Sequence, residues 1–490
     1  MKTISNRETQ VNLKSHTLNI DIMLLTLNLF LFSIVGTFGL VSNEFYLQTS
    51  KYLIIFIFVS ITLNSIISKE QDYTFLFFFL SFGFFILSRF FIDIINYKPY
   101  FHANLYTDFY FSKAIQSKTQ TLIIIVLISI NIGYVYGKNI IGNRIKKIDD
   151  IKYNKIMVTI GITLMIFSFP FVLTKLYIQI IYISKYGYLS LFTGIYKDIN
   201  YPIWTIGSLT IFQMGYYAII LGRPPKKIFI IFSALYFVYI FFESIKGQRG
   251  PLIINTLLIT WLYTNIYNAK LKIKYLFFLL LSLLIFSQFI GQIRSKDKAK
   301  NNYSLVNEFF YSQGITLILS MHILNNENEF INHSYPYILA PVMDYFNKYL
   351  HRTIYQKGQS SELIKYSNDI NTQLTFFLNS NRYLKGNGIG SCYLIELYDL
   401  GKYFGIIVGN IILVCLMFIL SKKALKNRIN FLFSILVFRS FVYMPRNRIL
   451  SFFPDLFKTS LILFFISIIT IIILYNNIKS FKKPNIEKIF

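Results

Sequence analysis

Cysteine is almost absent from this chain: two residues in 490, Cys392 and Cys415. Cys415 lies inside an apolar run and Cys392 in a glycine-rich stretch, which excludes a disulfide framework. Charge is also scarce, at 14% of residues, and lopsided: 49 Lys and Arg stand against 22 Asp and Glu, a formal net charge of +27. There is no Walker A loop, so nothing supports nucleotide hydrolysis. HExxH, clustered Cys/His and DxD patterns are missing, and neither metal nor other cofactor is expected. No GxSxG elbow is present. The histidines His16, His102, His322, His333 and His351 are scattered, although the last three share one polar segment. Acidic residues inside apolar runs are few, and Asp93 and Glu243 lie near run ends. A proton-coupled transporter more often keeps one at mid-span.

What the chain has is apolar bulk: 54% hydrophobic residues, among them 51 Phe and 37 Tyr. It is arranged in repeated runs of roughly 17–25 residues, the length that crosses a hydrocarbon core as a helix. Backbone in lipid satisfies its own hydrogen bonds, so these runs are helices. The fold class is an all-α polytopic membrane protein with about twelve spans. They fall near 19–42, 51–67, 74–95, 120–137, 156–183, 203–221, 228–244, 251–267, 275–293, 403–420, 430–444 and 456–475. A polar arm with Lys2, Arg7 and Lys14 precedes the first run, which reads as a retained signal anchor. The chain divides into spans one to nine (1–293), a large loop (294–402), and spans ten to twelve with a basic tail (403–490).

Basic residues in short loops set the orientation. Segments 138–155, 222–227, 268–274, 421–429 and the tail after 478 carry most of them. With twelve spans all of these share one side with the N-terminus, and that side reads as cytoplasmic. The charge is a topology signal that also meets anionic lipid headgroups; nucleic acid is not an expected partner. The same alternation puts the large loop outside. Its length points to function, and its Tyr and Phe content favours packing on the outer membrane surface with partial re-entry.

Positive charge on that outer side runs against the rule. The turn ESIKGQRGP holds Lys246 and Arg249, span nine ends at Arg294, and span eleven carries Arg439, then Arg446 and Arg448 beyond Pro445. Each has two readings, snorkelling to the headgroups or contact with an anionic ligand. Arginine suits phosphate because its planar fork makes bidentate, charge-assisted bonds. A diphosphate at the outer leaflet fits several arginines gathered on one face.

Three stretches carry a family resemblance: KGQRG at 246–250, YSQG at 311–314, and GNGIGSCYLIELYDLGKYFG at 386–405. The last is similar to a Gly-x-Gly-x-Gly-Ser pattern followed by a short apolar run with Glu, an acidic residue and Tyr/Phe-Gly. Together they resemble the O-antigen polysaccharide polymerase (Wzy) family. Cys392 departs from the pattern, which favours a small or hydroxylated residue there. The resemblance implies a GT-C-like architecture in a bacterial cytoplasmic membrane, and the basic-loop pattern puts both termini on the cytoplasmic side. It implies a glycosyltransferase that moves a growing glycan from undecaprenyl diphosphate to a sugar hydroxyl of the next lipid-linked repeat, and a chain-length regulator as partner.

In that reaction Arg249, Arg446, Arg294, Arg448 and Arg439, with Lys246, are candidates to stabilise the departing diphosphate. Glu396, then Asp399, then His322, are candidates for the base at the acceptor hydroxyl; pairing of Glu396 with an arginine is the competing reading. The glycines let the backbone approach a ligand. Ser391 reads as the N-cap of a helix running into span ten, with its first amides open to an anion. A lipid-linked oligosaccharide flippase and an O-antigen ligase are the alternatives. A flippase is expected to show repeat symmetry, a charged cavity through the membrane and short outer loops.

Overall fold

The computed structural model describes residues 2–68, 72–102, 110–141, 149–192, 199, 201–247, 249–294, 305–331 and 335–457. Its regular elements are helices. The first seven are α1 Lys2–Val41, α2 Asn43–Ile67, α3 Tyr73–Ile94, α4 Lys113–Ile141, α5 Lys155–Tyr186, α6 Ser208–Leu221 and α7 Lys226–Ile245. Then come α8 Arg249–Tyr267, α9 Ile273–Arg294, α10 Leu305–Gln313, α11 Ile315–Asn325, α12 Ala340–Leu350 and α13 Ile370–Leu378. The last are α14 Tyr393–Lys423, α15 Arg428–Tyr443 and the short α16 Phe453–Leu456.

Among the described residues eight helical segments, those of α1 to α7 and α14, are long and apolar enough to cross a membrane, α6 counting with the 3-10 turn before it as Ile203–Leu221. The helices α8, α9 and α15 occupy the predicted spans eight, nine and eleven. Nearly all of the twelfth predicted span, the basic tail and His333 lie outside the described residues. Large apolar side chains face outward, among them Phe167 (69% exposed), Phe277 (61%) and Phe404 (74%). Lipid satisfies such a surface; water does not.

The predicted basic loops meet at one end of the bundle. Asn154 N donates to Gly222 O at 2.9 Å and Asp150 N to Leu425 O at 3.2 Å. Arg223 grips Asp149 with both guanidinium nitrogens, and Arg428 reaches Leu221 O at 3.3 Å. Nearby, the buried Asp21 of α1 binds Lys138 at 2.9 Å and Asn64 at 2.8 Å. That pairing ties α1, α2 and α4 together and removes the cost of an unpaired carboxylate.

One apolar core gathers α2, α3, α4, α11 and α14, and a second gathers α5 to α9 and α15. Two features shape the first core. Helix α11 belongs to the large predicted loop, yet every residue from Ile315 to Leu324 is buried. Helix α14 is in fact two arms, 393–400 and 403–423, broken at Gly401 and Lys402; Lys402 has a left-handed φ of 50°. The first arm folds back along the second. Tyr393 OH donates to Asn410 Oδ1 at 3.2 Å, and Leu397 packs where side chains on Gly405 or Gly409 would stand. The expected continuous entry into span ten is therefore corrected. The chain dips into the bundle, returns outward through 393–400, and only then crosses.

In the second core α5 and α6 cross on two glycines. A Cβ on Gly161 would stand 2.6 Å from Gly215 O, and one on Gly215 would stand 2.8 Å from Gly161 O. Small residues allow this backbone approach, the usual adhesive between helices in lipid. Gly215→Val should destabilise the protein by roughly 1–3 kcal/mol through overpacking. Gly36→Val, where nothing lies within 4 Å, should be neutral. Apparent Tm in detergent, compared between the two variants, checks this.

Candidate active site

The site is built on the turn that follows α15. Pro445 stands in a 3-10 segment, Met444–Arg446, and has no N–H to continue the helix. The next residues then project in different directions. Arg446 Nη1 donates to Gln313 Oε1 at 2.9 Å. Its guanidinium lies 5.5 Å from the centre of the Phe85 ring, a cation–π contact. Among the described residues Arg446 makes no ion pair. Arg448 turns to the polar segment after α11, with Nη1 3.0 Å from Asp344 Oδ2 and 3.8 Å from Asp369 Oδ1. Ile449 N donates to Glu396 Oε2 at 2.8 Å.

Glu396 lies on the re-entrant arm and is completely buried. Its second oxygen, Oε1, has no hydrogen-bond partner among the described residues. Such an atom costs free energy unless something binds it. Neighbouring residues anchor the arm on other sides. Asp399 Oδ2 accepts the Tyr337 N–H at 2.9 Å. Tyr398 OH donates to Glu327 Oε1 at 2.7 Å, and Lys118 pairs with the same carboxylate.

The glycine-rich turn before the arm needs its glycines, since Gly386 and Gly390 have φ of 91° and 94°, a region L-residues rarely adopt. Its amides are already used. Gly390 N donates to Asn371 Oδ1 at 2.7 Å and Ile389 N to Thr375 Oγ1 at 3.3 Å. The turn thus wraps side chains of α13. The N-cap is Cys392 rather than Ser391, and the Ser391 hydroxyl is buried without a partner among the described residues.

The other predicted residues are dispersed. Lys246 is buried and held by Glu243 at 2.5 Å and Gln179 Oε1 at 3.0 Å. Arg439, on α15, places Nη1 3.4 Å from Tyr217 OH, beside Tyr236 and Tyr239. Arg249 opens α8 and Arg294 closes α9; their side chains lie outside what the structure describes. His322 is buried on α11, its ring 4.8 Å from that of Phe111. Burial pushes the His322 imidazole down to about 4, which keeps it neutral.

Three contributors were not anticipated. Asp344 accepts the Asn368 N–H at 2.9 Å as well as Arg448, and burial lifts its carboxyl above the ordinary range although both partners oppose this. Asp369 caps α13. Arg89, fully buried, gives Nε to Tyr311 O at 3.1 Å and Nη1 to His102 O at 2.8 Å, over the Tyr311 ring at 4.0 Å. It fixes the chain just before Gln313. A π-helical turn, Gly83–Leu87, precedes Arg89 and carries Phe85; such turns re-aim side chains within a helix. Among the described residues no group of three or more His, Cys, Asp or Glu is placed to hold a metal ion.

The sequence model of the O-antigen polysaccharide polymerase Wzy family matches residues 20–479, nearly the whole chain. The chain belongs to the Wzy family. No curated protein and no solved structure matches it. Wzy membership makes it a glycosyltransferase-type polymerase of O-antigen repeat units, a multi-pass protein of the bacterial inner membrane acting on lipid-linked oligosaccharides. The three stretches that resemble Wzy proteins meet at the 443–449 turn. Gly250 of KGQRG packs on Tyr443, where a Cβ would stand 3.2 Å from the hydroxyl. Gln313 of YSQG holds Arg446, and Glu396 of the glycine-rich stretch holds Ile449.

The depressed His322 pKa has a pH consequence. Above pH ~6.5 the ring is neutral in both folded and unfolded chains and contributes nothing. As pH falls below that value the unfolded chain takes up a proton that the folded one refuses. Stability is lost progressively down to about pH 4, by roughly 3 kcal/mol in all. The fall in apparent Tm between pH 7 and pH 5 should be smaller in His322→Leu than in the parent. An equal fall would show that His322 is not the group responsible.

Proposed function

We propose that this Wzy protein joins repeat units at the outer face of the cytoplasmic membrane, with Glu396 as the base and Arg446 and Arg249 receiving the carrier diphosphate. The basic end of the bundle, with the N-terminus, is then cytoplasmic, and the 443–449 turn lies on the outer side. The observation that carries the reading is one convergence. Three family stretches meet at the 443–449 turn, where Ile449 N holds one oxygen of the buried Glu396 carboxylate; among the described residues its other oxygen has no hydrogen-bond partner and Arg446, three residues before Ile449, makes no ion pair.

The donor is a glycan on undecaprenyl diphosphate. The acceptor is a sugar hydroxyl of the incoming lipid-linked unit. Glu396 Oε1 takes the hydroxyl proton as the oxygen attacks the anomeric carbon of the donor's linking sugar. The bond from that carbon to the diphosphate oxygen breaks, and the electron pair leaves with the diphosphate. Direct displacement inverts the anomeric centre. Arg446 meets the charge that grows on the leaving oxygen, the task for which fixed cations are most effective. The Ile449 N–H holds Oε2, so the carboxylate is oriented before substrate arrives. Asp399 and His322 rank after Glu396 as bases, because Asp399 is bound to Tyr337 N and His322 packs on Phe111. A GT-C-like arrangement of twelve spans and a chain-length regulator as partner belong to this reading.

Glu396→Gln should lower polymerisation by about 10²–10⁴-fold, the range for loss of a general base. Arg446→Ala should lower it by about 10²–10³-fold. Both proteins should remain in the membrane. Extracted lipid-linked sugars should then be single repeats exposed on the outer face. Long-chain polymer in Glu396→Gln would remove it from the mechanism, and single repeats trapped inside would point to a flippase.

A further inference from the structure

Arg448 poses a problem for the site. It precedes Ile449, whose N–H holds Glu396, so a cation stands one residue from the donor of a carboxylate whose Oε1 has no partner among the described residues. Arg448 and Glu396 are within electrostatic reach of each other. A guanidinium that paired with Oε1 would occupy the atom that must take the acceptor proton.

What prevents it comes from the polar segment after α11. Asp344 lies on α12 and takes Arg448 Nη1 at 3.0 Å, while Asp369 stands 3.8 Å from the same nitrogen. All three side chains are largely shielded, at 23% exposure for Arg448, 14% for Asp344 and 16% for Asp369. The aspartates are themselves fixed. Asp344 accepts the Asn368 N–H at 2.9 Å, and Asp369 accepts the Asn371 N–H at 3.4 Å as the cap of α13. Two carboxylates therefore compete with Glu396 for one guanidinium, from positions set by backbone amides.

We propose that Asp344 and Asp369 are positioning residues that draw Arg448 away from Glu396 and so leave Glu396 Oε1 free for the acceptor hydroxyl. This rests on Glu396 being the base. Arg448 is thereby assigned to the internal charge arrangement rather than to the diphosphate. The availability of the base then depends on α12 and α13 being docked against the turn.

The test uses the full-length protein in membranes with its own lipid-linked repeat units, measuring kcat and KM for polymerisation. In the double variant Asp344→Asn, Asp369→Asn, kcat should fall at least about tenfold with KM little changed, because Arg448 now ties up Oε1; a single close pair in a shielded site is worth several times that factor. Adding Arg448→Gln to the double variant should recover a substantial part of kcat, since the capturing group is gone. A merely structural role for the aspartates predicts no recovery from a third substitution. Wild-type kcat in the double variant, or no recovery in the triple, overturns the proposal. If the double variant fails to accumulate, Asp369→Asn with and without Arg448→Gln gives the same comparison. Glu396→Gln is measured alongside. Retained activity there sinks the base assignment itself, whereas its loss combined with no recovery in the triple sinks only the role of the aspartates.

Discussion

The hydrogen bond from Ile449 N to Glu396 joins residues 53 positions apart in the chain, and the rest of the site is arranged around it. A carboxylate buried on a re-entrant arm has to be held, or burial costs more than packing returns. The backbone N–H of a proline-ended turn is a rigid donor for this purpose. It fixes one oxygen without neutralising the group. The same turn presents Arg446 to one side and Arg448 to the other, so charge and countercharge are sorted by direction within four residues. The glycines at 386 and 390 serve this arrangement indirectly. They wrap the chain around α13 and start the arm at the depth that Glu396 needs.

Much of the bundle was legible because lipid imposes a simple rule. Long apolar runs must be helices, and the loops between them sort by charge. Helices therefore stand at the first eleven predicted spans. Partial re-entry of the large loop was expected, but the hairpin that makes it was not legible. YLIELYDLGKYFG reads as one approach to a span, and a glycine followed by lysine gives no sign that the backbone reverses there. The burial of α11 was also hidden. The helix falls in a loop expected to pack on the outer membrane surface, and only packing against α3 and α4 makes every side bury.

Charges that run against the expected pattern were singled out from the sequence, and charges in a polar context were passed over. Arg446 and Arg448 stood out as positive charge on the predicted outer side, and Glu396 through the glycine-rich family stretch. Asp344 and Asp369 looked solvated, since acids in a long polar segment usually are. Arg89 is the instructive omission. It sits within a predicted span, in ILSRFFIDI, and an ionisable residue at that depth is expected to face the bundle interior. The same argument that singled out Arg439 applied to it. Its ligands are backbone carbonyls, so no acidic partner in the sequence advertised it.

The hairpin within α14 also bears on the order in which the protein is assembled. The arm 393–400 is about 12 Å long at 1.5 Å per residue, too short to cross a bilayer alone. It leaves the ribosome before 403–423, the segment it leans on, and before Ile449, the donor that satisfies its carboxylate. The Glu396 side chain is thus made early and given its partner late, after α15 has entered the membrane. Until then it is a polar group awaiting its partner.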